Sequence, residues 1–86
     1  QDKNAEIYKK FMAAKETGNA NVEKETVEQL AENYKELFKL DNARSILLDL
    51  ASEYLQKQKL AEAMDSQFGN GCSEYVAYAI KKYYGV

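Results

Sequence analysis

Apolar residues recur at intervals of three and four along most of the chain, the spacing that gathers side chains onto one face of a helix. Ala5, Tyr8, Phe11 and Met12, with Ile7 at the edge, predict a first helix from Asp2 to about Glu16. Gly18, in Thr17-Gly18-Asn19, ends it, because glycine takes the left-handed conformation that closes a helix. The most regular stripe follows: Val27, Leu30, Ala31, Tyr34, Leu37 and Phe38, with Glu25, Glu28, Glu32, Lys35 and Glu36 lying off it. Asn21 and Thr26 are alternative caps for this second helix. Leu40-Asp41-Asn42 then makes a short connection, with Asp41 or Asn42 as the next cap.

The third helix, from about Ala43 to Leu55, is apolar on two sides. Ala43, Leu47, Leu50 and Tyr54 make one stripe; Leu48, Ala51 and Leu55 make a second, turned by about 100°. Such a helix is either central in a core or lines a cleft. A shorter fourth helix includes Lys59 to Asp65 and carries Leu60, Ala61 and Met64. Phe68-Gly69-Asn70-Gly71 turns the chain into a fifth, about Gly71 to Tyr84, with Asn70 as its cap. Cys72, Tyr75, Val76, Ala79, Ile80 and Tyr83 share one face of it, and Lys81 and Lys82 suit the negative end of its dipole. No segment alternates with period two. The expected fold is all-α, a single domain over residues 1–86 built from about five helices.

Composition narrows the chemistry. The chain has 86 residues, 45% hydrophobic and 30% charged, an ordinary globular balance. It contains no histidine, proline or tryptophan, which removes the histidine general base, the histidine zinc ligand and the proximal haem ligand. Its single cysteine excludes an intrachain disulfide and suits a reducing cytoplasm. A net charge of −2 without a long basic stripe leaves no surface for duplex DNA. No apolar run reaches the roughly 20 residues of a membrane span.

Catalytic and metal motifs are missing: no Cys/His zinc spacing, HExxH, GxGxxG or phosphate loop. We therefore expect no catalytic residue, no metal and no cofactor. Glu28, Glu32 and Glu36 read as a solvated helix face rather than paired catalytic carboxylates. Cys72 reads as a small buried hydrophobe, although a helix N-terminus can lower a thiol pKa. The seven tyrosines stand out against three phenylalanines. Tyr8, Tyr34, Tyr54, Tyr75 and Tyr83 fall on core-facing stripes with hydroxyls reaching a rim, whereas Tyr78 and Tyr84 fall on the outer side.

Three stretches together resemble the C-terminal antibiotic-recognition domain of TipA-type regulators, a branch of the MerR transcription-factor family. Ala5-Glu6-Ile7-Tyr8 through Gly18, with Val27-Glu28-Gln29-Leu30-Ala31 and Tyr34-Lys35-Glu36-Leu37-Phe38, is similar to the family's first helix, loop and "V-x-x-L" helix. Leu50-Ala51-Ser52-Glu53-Tyr54 resembles its "L-G-E-M-Y" segment. Phe68-Gly69-Asn70-Gly71-Cys72-Ser73-Glu74-Tyr75-Val76, followed by Ala79-Ile80-Lys81-Lys82-Tyr83, resembles its closing helix. Two departures stand out. Leu55-Gln56-Lys57-Gln58 replaces the family's frequent Asp-x-Arg-Phe after the tyrosine. Where the thiopeptide-binding member has a drug-capturing cysteine, this chain has Lys39, Leu40 and Asp41, so covalent capture does not carry over.

The resemblance implies a compact, shortened globin-like bundle of a cytoplasmic regulator. It would bind antibiotics or other bulky amphipathic molecules and act on DNA only through a winged-helix domain outside these residues, in a dimer. The two-faced third helix suggests where. Leu48, Ala51 and Leu55 are expected as one wall of a cleft, completed by Tyr34, Phe38, Phe68 and Tyr78. The competing reading is a helical protein-interaction module whose apolar strip receives a partner helix.

Overall fold

The computed structural model describes residues 3–86; Asp2, the expected start of the first helix, lies outside them. Five helices follow one another: α1 Lys3–Thr17, α2 Ala20–Phe38, α3 Arg44–Leu55, α4 Lys59–Phe68 and α5 Cys72–Tyr84. No strand occurs among the described residues, and the fold is an all-α bundle.

The helix ends explain the spans. Gly18 stands at φ 65°, and only Gly18 and Asn19 separate α1 from α2. Asn19 caps α2, its Oδ1 accepting the Val22 N–H at 3.1 Å. Neither expected cap serves: Asn21 lies inside the first turn, and Thr26 is buried mid-helix, its hydroxyl donating to the Val22 carbonyl at 2.6 Å. At the other end α2 closes on Lys39, a non-glycine residue at φ 54°. Ala43 occupies the cap position of α3, and Asn42, one residue outside, accepts the Arg44 N–H at 3.2 Å.

The turn from α4 to α5 needs both of its glycines in conformations that L-residues avoid, Gly69 at φ 125° and Gly71 at φ 83°. It folds α5 back so that Asp65 Oδ1 accepts the Ser73 N–H at 2.8 Å. Asp65 therefore does the capping expected of Asn70, and its charge faces the positive end of the α5 dipole.

Helix α5 packs against all four others, most extensively against α3, while α1 lies along α2. Phe11, Val27, Leu30, Leu47, Ala51, Cys72, Val76, Ala77 and Ile80 have no exposed surface and form one apolar cluster. The buried stripe of α1 is Ile7, Tyr8, Phe11 and Ala14, with Ala5 and Met12 at its edges. Helix α2, about 28 Å long by its residue count, outruns this core. Its backbone scarcely approaches α3, and Leu37 and Phe38 are left 62% and 53% exposed, although both continue its apolar stripe.

Candidate ligand-binding site

The gap between the last two turns of α2 and α3 is a groove of about 290 Å³. Tyr34, Leu37 and Phe38 supply one wall; Ile46, Asp49, Leu50 and Glu53 supply the other, with Asn4 of α1 at the end. Four-residue spacing builds both sides. Tyr34 and Phe38 meet edge to face, ring centres 5.8 Å apart. On α3, Ile46 and Leu50 form an apolar row, and Asp49 and Glu53 form an acidic row beside it. The core face of α3, with Leu47, Ala51 and Tyr54, lies about 100° around the helix.

Of the seven residues expected at a cleft, Tyr34 and Phe38 meet here. Leu48 and Leu55 stand about half a turn away on the opposite flank of α3, partly buried against the core. Ala51 has no exposed surface. Phe68 packs at 5.4 Å from the Tyr8 ring, and Tyr78 points outward from α5, 55% exposed. Leu37 and Leu50 are groove residues that their stripes made look like core, because only the missing contact between α2 and α3 uncovers them.

Below the groove, Tyr34 leads into a buried cluster of hydroxyls. The Tyr8 and Tyr54 oxygens lie 2.9 Å apart, and the Tyr34 hydroxyl interacts with that of Tyr8. Burial raises the pKa of all three phenols; for Tyr34 the bond to Tyr8 partly offsets it. The cluster is therefore neutral across physiological pH, with every buried polar side-chain atom among the described residues partnered.

Three larger grooves are lined mainly by polar side chains: one of about 520 Å³ where α3 meets α4, from Glu53 to Glu62, and two crossed by ties between helices. The one between α1 and α2, about 590 Å³, contains Glu6, Glu25, Glu28, Glu32 and Glu36 and is spanned by Lys3–Glu36 and Lys10–Gln29. In the one between α2 and α5, about 630 Å³, Glu23 accepts the Tyr75 hydroxyl at 2.9 Å and faces Lys82 at 3.7 Å. Tyr83, expected on the core stripe, is 36% exposed at its edge, and its hydroxyl reaches Glu28.

Cys72 is fully buried at the start of α5. Burial, and then the Asp65 carboxylate, push its thiol up to about 11, against a smaller opposing effect of Lys15. That environment holds it as an unreactive thiol at neutral pH.

Comparison with protein families gives a match over residues 1–83 to the family described as the TipAS antibiotic-recognition domain. Curated proteins and solved structures give no match.

Proposed function

This chain belongs to the TipAS antibiotic-recognition domain family, and from that premise we propose that it is a non-catalytic receptor domain for bulky amphipathic molecules. The observation that carries this reading is the α2–α3 groove. It is an open apolar slot with an aromatic pair on one wall and few polar groups, the make-up of a small-molecule site. Binding there is non-covalent, since Cys72 is buried elsewhere and held protonated.

In this reading the domain is the sensor of a cytoplasmic MerR-family regulator, itself a homodimer, and DNA is contacted by another part of that regulator. A ligand bridging α2 and α3 prefers the arrangement in which its two walls are close. It shifts the population toward that arrangement and so couples binding to the attached DNA-binding domain. Tyr34 suits this role because it touches the groove on one side and the Tyr8–Tyr54 pair on the other.

The same exposed strip, with Leu37 and Phe38 continued by Leu40 at 39% exposure, also fits the apolar face of a partner helix. Titration of isotope-labelled protein with a panel of thiopeptides, followed by NMR, separates the two. Saturable shifts centred on Tyr34, Phe38, Ile46 and Leu50 support the receptor. No shift with any member of the panel supports the interaction module.

A further inference from the structure

We infer that the α2–α3 groove selects organic cations with flat aromatic faces over neutral or anionic molecules of the same shape. The inference rests on the receptor reading above and adds the sign of the ligand's charge. Among the described residues, Asp49 and Glu53 are the only charged ones lining the groove. Both are exposed, and among the described residues neither side chain forms a hydrogen bond or ion pair.

No lysine or arginine lines the groove among the described residues, although Lys39 follows Phe38 at the end of α2. Lys35 pairs with Glu32 at 3.1 Å, and Lys35 and Arg44 both act on the Tyr84 phenol. The acidic row lies one residue around from the apolar row of Ile46 and Leu50. A planar aromatic group seated on those two, against the Tyr34 and Phe38 rings, therefore brings an attached positive centre beside two carboxylates. The aromatic faces add cation–π attraction. An anion in the same seat meets two like charges with no counter-charge in the groove.

The test is a matched series: tetraphenylphosphonium, tetraphenylborate and uncharged triphenylphosphine oxide. Each is titrated by NMR and calorimetry into the intact chain and into the Asp49→Asn/Glu53→Gln double variant. Two exposed carboxylates and a cation–π contact together predict a preference for the phosphonium of about tenfold or more. That preference shrinks as salt rises and disappears in the double variant, whose exposed substitutions leave the thermal midpoint unchanged. Equal binding of all three probes in the groove, or a preference that survives the double variant, overturns the charge selection and leaves the groove reading standing. Failure of the phosphonium to perturb groove residues overturns the inference as well, and the thiopeptide titration then decides the groove by itself.

Discussion

The hydroxyl of Tyr8 lies 2.9 Å from that of Tyr54, tying α1 to α3 inside a core that is otherwise almost entirely hydrocarbon. Removing one hydroxyl takes the other's close partner from a place water cannot reach, with only Tyr34 remaining beside Tyr8. Tyr54→Phe and Tyr8→Phe should each cost about 1–2 kcal/mol in urea unfolding. The double variant should cost clearly less than the sum, since it orphans neither oxygen of the pair. Additive costs would show that the two hydroxyls are not coupled.

Stability should fall at alkaline pH. Burial raises the Tyr8 and Tyr54 phenols above 10.0 and the Cys72 thiol from 9.0 to about 11. The unfolded chain thus loses these protons first, and above about pH 9 it binds fewer protons than the native state. The stabilisation is complete below that pH and drains away as pH climbs through the folded-state values. Thermal midpoints should hold level from pH 7 to 9 and drop beyond. Phenolate absorbance from Tyr8 and Tyr54 should emerge only with unfolding; its appearance in the native state would refute the burial argument.

Asp65 should act on α5 in two separable ways. Asp65→Ala removes the acceptor for the buried Ser73 N–H and should cost about 1–2 kcal/mol. Asp65→Asn keeps an acceptor and most of the stability, but removes the carboxylate that helps to raise the Cys72 thiol. Alkylation of Cys72 against pH should then show a lower thiol pKa.

Lys39 is strained where glycine would not be. It closes α2 at φ 54°, ψ 53° on the surface. Lys39→Gly should raise stability by up to about 1 kcal/mol, read as a higher urea midpoint with unchanged slope. A loss of stability would mean that the Lys39 side chain contributes more than its backbone costs.

The helices were legible in the sequence because three-and-four spacing is local and glycines mark two of the four breaks between them. The caps were less so. Asn19 follows Gly18 so closely that the boundary gave no room to distinguish it from Asn21, and Asp65 reaches α5 only through the fold of a turn. The groove was least legible. Tyr34, Leu37 and Phe38 continue the stripe of Val27 and Leu30, and a stripe records which residues can be buried, not where the facing helix stops. Leu48 and Leu55 were legible as a second apolar side of α3, but periodicity does not say whether that side meets a ligand or the bundle itself.

The central claim, that the α2–α3 groove receives the ligand, is tested most directly by titrating a thiopeptide into Phe38→Ala and Leu47→Ala by NMR, with unfolding measured on the same samples. Phe38 is 53% exposed, so its truncation should cost less than about 1 kcal/mol while weakening binding at least about tenfold, the loss expected of an aromatic anchor. Leu47 has no exposed surface, and its truncation should cost about 2–5 kcal/mol yet leave the affinity of the remaining folded protein nearly unchanged. Undiminished binding by Phe38→Ala, with shifts gathered at Leu48, Leu55 and Tyr78 or between α1 and α2, would contradict the account.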